Sequence, residues 1–289
     1  MVKKKRVMQV RWRSLGLSLF IGSLVVGLPG NTHNAELDLA NQKVQSEQLR
    51  DRLSEEQLYR EAQAITVRVL SSLSLVGSGT IVRAEGNTYF VLTNAHVLRA
   101  APSPYQIQTP DGAIYEAAVI TPASFQKNDL EVLQFSAAKP DYSAAKLGAS
   151  ATLTQGEEVF AAGFPFSLEK GTSVPAPSKN VSSPQYPTDS SFAFREGRVV
   201  LVLDKALEGG YQVGYTNEIE RGMSGGPLLN RAGELVGVHG MQAYPLWEAP
   251  DYYEDGSAPP SPLQQTIARS NWAIPTERIV QPAATTQLW

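Results

Sequence analysis

Chemistry in this 289-residue chain has few places to reside: there are three histidines, no cysteine, and one serine hemmed in by glycines. The sharpest segment is Glu220-Arg-Gly-Met-Ser-Gly-Gly-Pro227. A serine in such a turn sits where the backbone can bend tightly and present Oγ. Gly222 has no Cβ to screen its N–H, so the N–H groups of Gly222 and Ser224 could together donate to a developing oxyanion. Serine is a weak nucleophile without a base in hydrogen-bond reach, and only His33, His96 and His239 can supply imidazole. The missing cysteines exclude a thiol nucleophile, thiolate zinc, an iron–sulfur cluster and any disulfide framework. Alone, Gly-Met-Ser-Gly-Gly reads equally well as a plain glycine-rich turn.

Order along the chain separates the alternatives. Gly222 to Gly226 also satisfies G-x-S-x-G, the nucleophile elbow of α/β-hydrolases, which needs an acid and then a histidine downstream. Only His239 follows, with Glu234 the sole acid between, and fifteen residues cannot build the intervening strands. The other order is histidine, aspartate, serine. His96 follows the apolar run of Phe90-Val-Leu-Thr-Asn-Ala-His-Val-Leu98, and Asp129 opens the run Asp-Leu-Glu-Val-Leu-Gln-Phe135. A lone histidine is more often a satisfied core residue, and a lone aspartate at a strand start is more often a cap. In this order, the three support one another.

These residues must be carried by short strands. From Ile65 onward the chain is a series of β-rich runs punctuated by turns such as Pro110-Asp-Gly112. No long amphipathic helix separates them, so the expected class is all-β, with one or two antiparallel barrels over about 220 residues. Residues 167–192 and 242–270 are too long and Pro-rich for strands and read as surface loops. The second carries the aromatics Tyr244, Trp247, Tyr252 and Tyr253. Its acids Glu248, Asp251, Glu254 and Asp255 are too irregularly spaced to argue for Ca²⁺.

Upstream, a basic stretch ending at Arg13 precedes the apolar run Leu15–Leu28, about 14 residues, the length of a signal-peptide apolar region and short for a spanning helix. The reading is a signal peptide or membrane anchor over 1–35, with possible membrane association through residues 14–35. A helical linker over 36–64 follows, either a stalk or a docking helix. Ser54-Glu-Glu-Gln57 forms a capping box, and Leu58, Ala62 and Ile65 fall on one stripe. Residues 1–30 hold six basic side chains and no acid; without them, 19 basic residues face 28 acidic ones, a net −9. An acidic body lacks the footprint for nucleic acid, so no nucleic-acid partner is expected.

The sequence TNAHV, then NDLEVLQF, then GMSGGPLLN resembles a chymotrypsin-fold, trypsin-like serine peptidase of the bacterial HtrA/Deg-related type. GSGTIV at 77–82, PDGAIYEAAVI at 110–120, GEEVFAAGFPFS at 156–167, GELVGVHG at 233–240 and NWAIP at 271–275 fit the same pattern in order. The resemblance implies a protease domain over 65–285 built of two antiparallel six-stranded β-barrels. Ser224 would attack a peptide carbonyl, His96 would take and return the proton, and Asp129 would orient the imidazole. Gly222 and Ser224 would form the oxyanion hole. No cofactor is expected, the protein would be exported to the periplasm or beyond the cell, and its partners would be protein or peptide substrates. Too few residues remain after the domain for a PDZ module.

There are departures. Met223 stands where trypsin has Asp and HtrA-type proteases have Asn, so activation by an inserted N-terminus is not expected. In this fold the P1 pocket is framed by positions that here hold Glu218, Ile219, Val238, His239 and Gly240. Ile219 matches HtrA-type proteases and favours small apolar P1. His239 shares its spacing from the serine with a specificity histidine of glutamyl endopeptidases, which leaves acidic P1 as an alternative, and Glu218 would suit basic P1. A catalytically degenerate fold used for binding or scaffolding is the competing class.

Overall fold

The computed structural model describes residues 52–72, 74–120, 125, 127–138, 141–166, 191–243 and 252–280. The N-terminal segment 1–35 and most of the loop 167–192 lie outside these residues. No helix among the described residues is long and apolar enough to cross a membrane.

The capping box forms as the sequence dictates. Ser54 Oγ accepts the Gln57 N–H, Gln57 Oε1 accepts the Ser54 N–H, and helix α1 runs Glu55–Ile65. Its stripe of Leu58, Tyr59, Ala62 and Ile65 is buried. It is a docking helix, not a stalk: Tyr59 meets the Phe192 and Phe194 rings edge-on, and Leu53 N–H donates to Arg231 O.

Six strands follow: β1 Thr66–Ser71, β2 Ser74–Glu85, β3 Thr88–Thr93, β4 Tyr105–Gln108, β5 Ile114–Val119 and β6 Glu131–Ser136. They close antiparallel in the order β1-β2-β3-β6-β5-β4. A short helix α2, Ala95–Arg99, leaves β3. The second barrel comprises β7 Glu158–Gly163, β8 Ala193–Val202, β9 Val213–Tyr215, β10 Pro227–Leu229, β11 Leu235–Met241 and β12 Asn271–Pro275, closed as β10-β11-β12-β9-β8-β7. The expected pair of six-stranded antiparallel barrels is the observed fold.

Successive strand residues point to opposite faces, and here both faces of many strands are buried. In β7, Val159 and Ala161 fill the second barrel, while Phe160 and Ala162 face the other way into a third core. In β3, Tyr89 and Val91 fill the first barrel, while Leu92 joins that third core. The third core lies between the barrels and takes in α1 and Trp272. Arg68 of β1 crosses the same seam, its guanidinium 4.0 Å from the centroid of the Phe164 ring.

One sequence expectation is corrected. The stretch 242–270 is not loop throughout, because Ser261–Arg269 forms helix α3 with Ile267 and Ala268 buried. Its prolines are compatible with this: Pro260 caps the helix and Pro262 sits in the first turn, where no intrahelical N–H is required. Because Leu58 is 0% exposed in the seam, Leu58→Ala is expected to cost about 2–5 kcal/mol, measured by urea unfolding. A loss below 1 kcal/mol would show that the helix does not belong to the cooperative unit.

Candidate active site

The end of β3 carries the first group. Asn94, fully buried, donates from Nδ2 to Asp129 O at 2.9 Å and starts α2, which presents His96. Asp129 sits just ahead of β6, and β3 and β6 are paired, with Thr93 opposite Glu131. The sheet therefore brings together side chains 33 residues apart. His96 Nδ1 lies 2.5 Å from Asp129 Oδ2, and His96 N–H donates to Oδ1 at 2.8 Å. Arg99 adds a long contact to Oδ1 at 3.4 Å.

Burial opposes ionisation of Asp129, but the hydrogen bond and charge of His96 and the hydroxyl of Tyr211 outweigh it, so the carboxyl is held below its ordinary range. An ionised carboxylate only accepts. The proton in the 2.5 Å contact therefore belongs to His96 Nδ1, so in the neutral imidazole Nε2 is the nitrogen that keeps its lone pair. The side chains are 38% exposed for His96 and 12% for Asp129, a base open to solvent on a shielded acid.

The serine loop comes from the second barrel and is gripped by β2 of the first. Ser78 N–H donates to Ser224 O at 2.9 Å. Ser78 Oγ donates to Gly222 O at 2.7 Å and accepts the Phe164 N–H at 2.9 Å. Thr80 Oγ1 reaches Gly225 O at 3.1 Å. A Cβ on Gly77 would meet Val97 Cγ1 at 2.6 Å and Ser224 O at 3.3 Å. The neighbour of the histidine and the carbonyl of the serine thus flank one glycine. Gly222 has φ +99°, and a Cβ there would lie 2.5 Å from Phe164 O, so only glycine fits. Among the described residues, the N–H groups of Gly222 and Ser224 donate to no protein acceptor.

A model of the trypsin-like peptidase domain matches residues 77–238. The chain belongs to this family. It is 33% identical over 168 residues to mitochondrial serine protease HTRA2 of Bos taurus, covering 57% of this chain and 31% of that protein. The serine protease Do-like HtrA of Bacillus subtilis is 32% identical over 168 residues, covering 57% and 33%. The chain thus spans about a third of these curated relatives. Among solved structures, an HtrA-type protease AlgW with tripeptide shares the fold at TM-score 0.55 and 20% identity, covering 81% of this chain and 63% of that one. The serine endoprotease of Yersinia pestis does so at 0.52 and 23%, covering 79% and 65%.

Other expected site residues fall in different settings. Met223 is fully buried and its Sδ accepts the Glu220 N–H at 3.5 Å, so it anchors the serine loop as an apolar plug. Glu218 is exposed, while Ile219 packs on the second-barrel core and its carbonyl accepts Gln242 Nε2 at 2.6 Å. Val238 is buried opposite Pro227. Of the aromatic loop residues, Tyr244 and Trp247 lie outside the described residues. Tyr253 bridges to Leu207, Glu254 pairs with Arg278, and Asp255 pairs with Lys205. Ser78, Tyr211 and Gln242 were missed as contributors; Ser78 at least lay within the quoted GSGTIV run.

His239 is 0% exposed. Its Nε2 contacts Ala162 O at 2.8 Å, its Nδ1 has no partner, and burial pushes its pKa down to about 4. The unfolded chain takes up this proton as pH falls through the ordinary value near 6.5, whereas the folded protein refuses it until about 4. Stability tied to His239 is therefore intact above pH 6.5 and is lost progressively below it, by about 3 kcal/mol at the limit. His239→Gln keeps an N–H donor for Ala162 and is expected to flatten the unfolding free energy between pH 7 and 4.5. An unchanged slope in urea titrations overturns this account.

Proposed function

We propose that this peptidase cleaves peptide bonds through Ser224 as nucleophile, His96 as general base and acid, and Asp129 as the group that holds the imidazole. The observation that carries the reading is the double contact of Asp129 with His96, which directs the basic Nε2 away from the carboxylate. The backbone N–H groups of Gly222 and Ser224, without protein acceptors, are the oxyanion donors. Attack by Ser224 Oγ on the carbonyl carbon passes its proton to His96. Collapse of the tetrahedral adduct returns that proton to the leaving amine, and water repeats the sequence on the acyl-enzyme.

Small apolar P1 residues are the preferred substrates in this reading. Gln242 ties across to Ile219, and the buried, neutral His239 offers no cation for an acidic P1 side chain. The substrate backbone would pair beside the outer end of β11, near Gly240, as an added strand. Export is supported by the basic-apolar leader and by DegP-like relatives described as probable periplasmic endoproteases.

Ser224→Ala and His96→Ala are each expected to lower turnover about 10⁴- to 10⁶-fold, measured on a peptide library. Wild-type protein should be labelled stoichiometrically at Ser224 by a fluorophosphonate. No labelling of the native protein would favour a binding role for the fold instead.

A further inference from the structure

Three donors to the Asp129 carboxylate come from α2 of its own barrel: His96 Nδ1, His96 N–H and, at longer range, Arg99. The fourth comes from the other barrel. Tyr211 Oη donates to Oδ2 at 2.7 Å, the same oxygen that receives the imidazole proton. The ring is 5% exposed and packed in the seam core, so the hydroxyl is delivered by a fixed body. Its segment also holds the backbone of Asp129, whose N–H donates to Gly209 O at 2.8 Å, and Asn128 bridges to Gly209.

We propose that Tyr211 is a positioning residue of the triad carboxylate, using a hydroxyl from the second barrel to fix the orientation of Asp129. The inference rests on the triad reading above. Space for this phenol exists because residue 240 is glycine: a Cβ there would lie 2.6 Å from Tyr211 Oη and 2.5 Å from Asn94 Oδ1. The phenol stays protonated, because burial and then the charge of Asp129 raise its pKa well above the ordinary value. It remains a donor throughout the working pH range. The other charged or titratable groups facing this pair are His96, Arg99 and Tyr215, with Arg278 on Asn128 beside Gly210.

The consequence is that the acid is complete only when the barrels are docked. Removing the hydroxyl withdraws one donor that lowers the Asp129 pKa, so the carboxylate becomes more basic and less fixed. The imidazolium beside it is then favoured, and the acidic limb of the kcat/KM profile moves to higher pH.

The test uses the full chain with Tyr211→Phe. Expected are a fall in kcat of about tenfold or more, an unchanged KM, an acidic limb displaced to higher pH, and a displaced His96 Nδ1–H proton resonance. Tyr215→Phe is the control: Tyr215 is also buried, but its hydroxyl has no partner among the described residues, so kcat and the limb should stay. If Tyr211→Phe folds poorly, Gly240→Ala pushes the phenol oxygen aside with the ring intact and should move the resonance as well. An unmoved resonance and limb, with activity lost only in step with unfolding, overturns the proposal. Absent peptidase activity in the wild type would overturn the functional reading, while the resonance comparison would still judge Tyr211.

Discussion

Everything at the site depends on how one closed barrel is held against another. Each barrel closes its own ring of strands and fills its own interior, so neither requires the other to complete its sheet. Yet the histidine and aspartate stand on the first, and the serine loop belongs to the second. Without cysteine there is no covalent tie across the seam. What remains is a third apolar core, fed by the outward faces of strands such as β7, and a few directed contacts through it. The directed contacts matter out of proportion to their number, since apolar burial is non-directional and does not set catalytic geometry alone.

Those contacts run both ways. Ser78 and Thr80 reach from the first barrel to the backbone of the serine loop. Tyr211 and Gly209 reach from the second to Asp129. Each half of the proposed triad is therefore shaped partly by the barrel that does not carry it. The buried Met223 fits this logic: an apolar anchor packed against Gly163 leaves the polar fastening of the loop to β2.

Much of this was legible in the sequence. Strands β1, β2, β3, β6, β7 and β11 show as apolar runs because consecutive residues, on both faces, are buried, and β8 shows by its Val-Val-Leu-Val run although most of it is only partly buried. The capping box at Ser54 marked α1 because its signal is local. Strand β4, Tyr105–Gln108, escaped notice because four residues alternating with two glutamines carry little pattern. Three-residue β10 was absorbed into the serine motif, and its prolines disguised α3. At the site, His96, Asp129 and Ser224 could be singled out because their order and the glycines constrain one another. Tyr211 could not, because its importance arises only from an approach between barrels that no local spacing encodes. His239 showed its spacing but not its burial, and burial decides what a histidine can do.

Gly77 gives the seam a dimension. With Val97 on one side and the serine carbonyl on the other, it is the thinnest shim the genetic code can place between the helix that bears His96 and the loop that bears Ser224. A Cβ there would meet Val97 Cγ1 at 2.6 Å, so the gap would have to open by more than the roughly 0.5 Å spread of hydrogen-bond lengths. The spacing between α2 and the serine loop is thus set by an atom that is absent, and Gly77 acts as the gauge to which the cleft of the proposed triad is cut.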